Sequence, residues 1–353
     1  MSVISNPTPV RSRSGLIAGG NFIVDTIVRI DHYPAEDMLA NILDEAPCNG
    51  GGPYNVLKDL AALDAPFPLH AIGLVGEDAN GQWIRQDCQD HGIDIRQLHT
   101  AAGTATSHTH VMTVPSTGRR TFFHHRGANR DLAPTHFDFR ATTAKIFHLG
   151  YLMLLDTLDA SDATGRSGAS RVLEAATAAG LITTVDLVSV EHPHYRSTVE
   201  SSLPWIDHLI INEVEAGRLV NRSLSASDVA GLAGAASQIL TQGVRAAVVI
   251  HTSETAVIAS RTEGNHQLDA LVVPPTEFKG ANGAGDAFAA GYLYGLHDGK
   301  SALERLEIAT CVAASSVTHP SPSDGVKLLA DCLNLSGSLN RRVSPASAIS
   351  AAP

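Results

Sequence analysis

The run Lys279-Gly280-Ala281-Asn282-Gly283-Ala284-Gly285-Asp286 sets an aspartate directly behind three residues that are almost free of side chains. Ala287, Phe288, Ala289, Ala290, Tyr292, Leu293 and Leu296 follow with the spacing of an apolar helix. A glycine-rich turn that opens a helix leaves backbone N–H groups unpaired, with the positive end of the helix dipole behind them. Such a turn suits a phosphate or a developing phosphoryl charge. Gly283, Ala284 and Gly285 are therefore the candidate anion hole, and Asp286 the candidate base for an attacking hydroxyl. A structural reading competes with this one. Small residues also let helices pack closely, and an acid in a first turn favours the helix itself.

The company the motif keeps separates the two. Gly283-Ala284-Gly285-Asp286 resembles the C-terminal signature of the ribokinase-like (PfkB) carbohydrate kinases, D-T-T-G-A-G-D. Gly50-Gly51-Gly52-Pro53-Tyr54-Asn55 resembles their N-terminal signature, two glycines before a small-Pro-small-Asn run. Gly20 to Asp25 is similar to the family's first strand with its substrate-binding acid. Gly73-Leu74-Val75-Gly76-Glu77-Asp78, with Gly81 and Gly92-Ile93-Asp94, is similar to its next segment, and Asn212-Glu213-Val214-Glu215 matches its N-x-x-E motif. These segments occur in the family's order over roughly residues 15–330.

The resemblance implies transfer of the γ-phosphoryl group of ATP to a hydroxyl of a sugar or sugar-like small molecule. In that frame Asp25 accepts from sugar hydroxyls, Gly50 and Gly51 let the backbone approach the ligand, and Asn55 offers a donor and an acceptor. Asn129, in Gly127-Ala128-Asn129, falls where the family often has a substrate loop. Asn212 and Glu215 would act through Mg²⁺ and its waters, Glu215 indirectly, since Mg²⁺ prefers oxygen ligands and keeps part of its hydration. The same pair also reads as a helix N-cap with Glu at N3, and the two roles are compatible. Asn282 is assigned to the nucleotide side.

The departures from the family pattern bear on specificity. Gly280 replaces an acid that commonly helps form a monovalent-cation site, which removes the ground for expecting potassium activation. Asn282 is reminiscent of the adenosine kinase version, D-T-N-G-A-G-D, so a nucleoside kinase is the alternative activity, and a non-catalytic sugar-binding homologue is a third. Ile250-His251-Thr252-Ser253-Glu254-Thr255 lacks the glycines many relatives carry there, so a differently shaped nucleotide pocket is expected. Asp186-Leu187-Val188 stands where the family has D-P-N, and Gly150 where some ribokinases have a sugar-binding acid, which weakens ribose as the substrate.

Composition sets the outer limits. The chain has 353 residues, with 25 Lys and Arg against 36 Asp and Glu, and no basic block, so nucleic-acid or anionic-membrane binding through bulk charge is not expected. Cys48, Cys88, Cys311 and Cys332 lie far apart without C-x-x-C spacing and read as reduced thiols of a cytoplasmic protein. No bilayer-spanning run and no signal peptide are expected. His108 and His110 share a strand face with His124 and His125 close behind, but without a carboxylate or Cys partner they read as lid or pocket residues, whose protonation would lower activity in acid.

The elements that must position the motifs alternate along the chain. Residues 15–19, 68–73, 145–149, 181–186, 208–211 and 246–250 are short apolar runs, and 53–63, 79–91, 167–179, 227–241, 286–297 and 302–317 carry helical spacing. That alternation predicts a doubly wound α/β fold, a mostly parallel sheet flanked by helices. Residues 22–47 and 104–125 break the rhythm, with a hairpin turn at Pro115-Ser116-Thr117-Gly118. The resemblance makes these two regions a small β-sheet lid over the sugar site, often used for dimer contact. One kinase domain over 15–333 is expected, with 1–14 and 334–353 as flexible termini.

Overall fold

A computed structural model describes residues 13–342 apart from 118 and 141; of the expected flexible ends at 1–14 and 334–353, residues 1–12 and 343–353 lie outside the described residues, as does Gly118 of the predicted turn. In chain order the strands are β1 (Leu16–Gly20), β2 (Ile23–Ile30), β3 (Ile42–Gly50), β4 (Leu69–Gly76), β5 (Asp94–Ala101), β6 (His108–Val114), β7 (Arg119–His125), β8 (Ile146–Leu152), β9 (Ile182–Leu187), β10 (His208–Asn212), β11 (Ala247–His251), β12 (Thr255–Ser260) and β13 (Gly264–Asp269). The helices are α1 (Gly52–Ala62), α2 (Ala79–Asp90), α3 (Asp156–Asp159), α4 (Gly168–Ala178), α5 (Tyr195–Ser202), α6 (Glu213–Val220), α7 (Val229–Thr241), α8 (Ala284–His297), α9 (Ala302–Ser316) and α10 (Leu329–Ser338).

Nine strands form one sheet in the order β13-β12-β11-β10-β9-β8-β1-β4-β5, parallel from β5 to β11 and antiparallel at β12 and β13. The central strands are buried along nearly their whole length because helices cover both of their faces. Period-two alternation divides their side chains between two cores. Leu16, Ala18, Ile146, Ile210 and Val249 pack with α1, α8 and α9, whereas Ile17, Phe147, Leu149, Ile211 and Val248 pack with α4 and α7. The chain winds outward from β1 to β4 and β5, then reverses through β8 to β11, so β1 and β8 flank a switch point, the usual place for a ligand crevice in such sheets.

The interrupted regions form a second sheet of four strands, β3-β2-β6-β7, the expected lid. Its hairpin pairs Val114 with Arg119 as the turn chemistry predicts. The expected lid boundary at 47 falls short, because β3 runs on to Gly50, where it pairs with Ile23. At the far end, the expected domain limit at 333 falls inside α10. Leu271 bridges to Arg341, so this segment is tied to the sheet rather than ending before it.

Candidate functional site

The carboxyl ends of the parallel strands converge under the lid. Asn21 follows β1, Tyr151 and Asp186 lie near the ends of β8 and β9, and Asn212 and His251 close β10 and β11. All but Asn21 line a cavity of about 600 Å³ together with Asp25, Gly51, Asn55, Glu215, Asn282, Gly283, Gly285 and Asp286. Thus the cavity reaches the glycine-rich turn and its aspartate.

Gly283 is the N-cap of α8 at φ 74°, a conformation that an L side chain adopts only under strain, and a Cβ there would lie 2.6 Å from Pro322. Among the described residues the amides of Gly283, Gly285 and Asp286 have no acceptor, whereas Ala284 N–H donates to the Ala281 carbonyl at 3.3 Å. Ala284 also faces a neighbouring cavity, so the unpaired amides at this turn are those of 283, 285 and 286 rather than of 283 to 285. The structural reading of small residues holds further along the same helix. At Gly291 a Cβ would meet Ala309 at 2.8 Å, which is how α8 and α9 pack so closely.

Asp286, third residue of α8, is 4% exposed. Asn55 Nδ2 donates to one of its oxygens at 2.7 Å, and the Tyr151 hydroxyl donates to both at 2.7 and 2.8 Å. Asn55 is held in turn by Asn49, whose amide donates to its Oδ1 at 2.7 Å. Burial pushes the Asp286 carboxyl up to about 7, the nearby charge of Asp186 adds to this, and the bonds from Asn55 and Tyr151 oppose it. The carboxyl is therefore poised near neutrality, where a general base is most useful.

Asp25 stands on β2 at the base of the lid. A Cβ at Gly50 would lie 2.4 Å from its carboxyl carbon, so only glycine leaves room for it there. Burial raises Asp25 to about 7, opposed by the Thr109 hydroxyl. Gly51, at φ 89°, caps α1 and brings that helix's N-terminus to the same cavity.

Asn212 and Glu215 form a complete capping box on α6. Asn212 Oδ1 accepts from Val214 and Glu215 N–H, both at 2.9 Å, and Glu215 Oε2 accepts from Asn212 N–H at 2.9 Å. Both residues nevertheless line the cavity. Glu215 Oε1 accepts from the Ser189 hydroxyl and Asn212 Nδ2, and burial raises the carboxyl to about 8. The cap and the cavity wall are one structure. Asn282 also lines the cavity, and its buried Nδ2 has no partner.

Asn129 is the clear correction. It is 1% exposed, and its amide accepts from Phe22 N–H at 3.4 Å and donates to Phe22 C=O at 3.1 Å. It braces the chain between β1 and β2 and does not line the cavity. The histidine expectation also changes. His124 faces the cavity but is pushed down to about 4, chiefly by burial, so it stays neutral across the range where acid sensitivity was expected. No group of His, Cys, Asp or Glu among the described residues is arranged to hold a metal by itself.

Sequence reasoning gave no role to Tyr151, and saw Asp186 only as the remnant of a motif. Asp186 is 7% exposed, its Oδ2 lies 3.6 Å from His148 Nε2, and its Oδ1 has no partner. A Cβ at Gly150 would fall 2.1 Å from that Oδ1, so the Asp186 carboxylate fills the space left by the missing side chain at 150. The strand-end position of Asp186 was a usable signal. Tyr151 had none, because only the packing of β8 against β1 turns it toward Asp286.

Beyond α8's N-terminus lies a second cavity of about 460 Å³, walled by Val272, Val273, Phe278, Ala313 and Val317 and edged by Thr252, Thr255 and Arg342. It shares His251, Ala281 and Gly285 with the first. Two cavities thus meet at the free amides of a single helix end.

A model of the pfkB family of carbohydrate kinases matches residues 23–328, and the chain belongs to that family. It is 24% identical to a ribokinase of Arabidopsis thaliana over 304 residues, 86% of this chain and 76% of that one. It is 28% identical to an ATP-dependent ribose-1-phosphate kinase of Halopiger xanaduensis over 125 residues, 35% of this chain, and that match spans only 41% of the other protein. The structure of Arabidopsis thaliana ribokinase complexed with ribose and ATP superposes with a TM-score of 0.73 at 22% identity, over 92% of this chain and 98% of that one, which confirms the ribokinase fold with its separate lid. The family assignment makes the chain a kinase of sugars or nucleosides.

Proposed function

We propose that the protein transfers the γ-phosphoryl group of ATP to a hydroxyl of a sugar or sugar-like small molecule bound beneath the lid. The acceptor oxygen attacks the γ-phosphorus, the bond to the ADP oxygen breaks, and Asp286 takes the hydroxyl proton. The amides of Gly283, Gly285 and Asp286 receive the charge that develops on the phosphoryl oxygens. Asp25 accepts from acceptor hydroxyls, and Gly50 and Gly51 keep the backbone out of the ligand's way. Asn55 and Tyr151 aim the base. The apolar cavity beyond Gly285 takes the nucleotide base, with Asn282 on the path between.

Mg²⁺ fits the oxygen-rich wall made by Glu215, Asn212 and Ser189. Both Glu215 oxygens are already engaged there, which favours contact through water rather than direct ligation. When bound, it would neutralise phosphate charge. Four buried, unpaired cysteines suit a reducing, cytoplasmic setting. The exposed apolar face of the lid suits a second copy of the chain.

The observation that carries this reading is Asp286, buried yet facing a cavity, beside amides with no acceptor. ADP release measured with ATP, Mg²⁺ and a panel of pentoses, hexoses and nucleosides tests it. Turnover on at least one sugar, reduced by about 10²–10⁴ in Asp286→Asn, is expected; unreduced turnover in that variant would remove Asp286 as the base. Phe122, an aromatic wall of the cavity that is 56% exposed, gives the nucleoside alternative its support, and a nucleoside preference in the same panel would decide for it.

A further inference from the structure

We propose that the acceptor is an anionic polyhydroxy compound, a sugar bearing a carboxylate or phosphate, whose charged group docks on Arg120 of the lid. This rests on the kinase reading above and narrows its acceptor.

β7 carries Arg120, Phe122 and His124 at alternate positions, and all three line the cavity that holds Asp286. Arg120 is half-buried and, among the described residues, its guanidinium makes no hydrogen bond or ion pair. A guanidinium drawn partly out of water with its donors unmet is costly unless something else meets them. The carboxyls of the cavity floor do not. Among the described residues, none of Asp25, Asp186, Glu215 and Asp286 forms a hydrogen bond or ion pair with Arg120, although all five line the same cavity.

The register of the lid explains the separation. One row across the sheet is Asp25, Thr109 and His124; the next on the same face is Ile27, Val111 and Phe122; the third is Arg29, Thr113 and Arg120. Asp44 stands opposite Arg29 at the edge, and the two form no ion pair. Moving outward from Asp25, a ligand therefore meets a hydroxyl-accepting carboxyl, then an apolar band, then unpaired guanidinium groups. A polyol with an anion at its far end matches that order. Whichever of the four floor acids are ionised repel an anion, which places it at the end remote from the phosphorylated hydroxyl. The planar fork of arginine fits both carboxylate and phosphate.

The test uses acceptors matched except for charge: a neutral sugar, its aldonate or uronate, and its monophosphate. Wild type should favour one anionic arm over the neutral sugar by about 10- to 100-fold in kcat/KM, the effect of a charge-assisted hydrogen bond. The favoured arm identifies carboxylate or phosphate. Arg120→Gln should collapse that ratio, mainly through acceptor KM, and Arg120→Lys should keep more of it for a phosphate than for a carboxylate. Neutral sugars preferred by wild type would overturn the proposal and leave the kinase reading standing. Equal losses on charged and neutral acceptors, with KM for ATP raised, would put Arg120 on the donor side and overturn it too. Thermal shift with a non-hydrolysable ATP analogue guards against a disturbed lid: anionic sugars should raise the Tm of wild type but not of Arg120→Gln. Absence of any such shift in wild type rejects the anion site even where no acceptor of either charge is phosphorylated, the outcome that would defeat the kinase reading separately.

Discussion

Asp286 is held in a state that opposes stability and serves chemistry. Its carboxyl sits at about 7 in the folded chain against an ordinary 3.8, so between those values the folded state keeps a proton that the unfolded state has lost. The stability this confers is present in acid and is lost as pH rises through 7. Asp286→Asn should therefore melt several degrees higher than wild type at pH about 8 and gain little near pH 4, as differential scanning calorimetry would read. Activity runs the other way. The ionised form is the base, so kcat/KM should fall on the acid side with an apparent pKa near 7, and a flat profile from pH about 5.5 to 8 would contradict the assignment. The histidines do not supply this limb, since His124 and His251 are both pushed down to about 4 by burial. Asp25→Ala should instead raise acceptor KM while leaving much of kcat, since the role proposed for Asp25 is to hold hydroxyls rather than to move a proton.

At the scale of elements, the site is made from ends: the N-termini of α1 and α8 and the carboxyl ends of β8 to β11. Those ends whose chemistry is written in consecutive residues were legible. Residues 283–286 and 50–55 announce themselves because a turn and the helix it opens are local, and the apolar runs of β1 and β9 to β11 fell within a residue of their predicted bounds, whereas β4 and β8 run three residues further than predicted. The amphipathic helices fell within two residues of theirs. What stayed hidden depends on distant pairing. Tyr151 reaches Asp286 across 135 residues of chain, and Asn129 is diverted to Phe22 across 107. The β12–β13 hairpin escaped because β13 is polar along most of its length. On α6, cap and cavity wall cannot be separated by inspection, but they can by substitution. Glu215→Gln keeps an acceptor for Asn212 N–H and removes the negative charge, so it should raise the Mg²⁺ concentration needed for half-maximal rate while changing Tm by only a degree or two. A large loss of Tm with unchanged Mg²⁺ dependence would make the residue a cap alone.

At the scale of the whole molecule, the lid is the part that the rest of the fold leaves uncovered. Seven of the twelve large apolar side chains exposed among the described residues belong to it or to its β2–β3 connection, including Met38 at 69%, Leu39 at 77%, and Ile42 and Leu43 at 57% each. The same region holds β3, an edge strand with one side unpaired, and such an edge is a liability for a protein that stays alone in water. A second copy, bringing the same patch, would cover both the apolar residues and the edge in one isologous contact. Light scattering on the purified chain should then give a dimer, and Leu39→Glu with Ile42→Glu should give a monomer with little change in Tm, since neither side chain belongs to a buried core. The monomer should also show a higher acceptor KM than the dimer. Asp25 lies on β2, directly against the strand that the contact steadies, whereas Asp286 lies on α8 in the main body. An acceptor KM that rises with kcat nearly constant would tie assembly to the sugar side of the cavity, and a wild-type monomer at high micromolar concentration would leave that face to some other role.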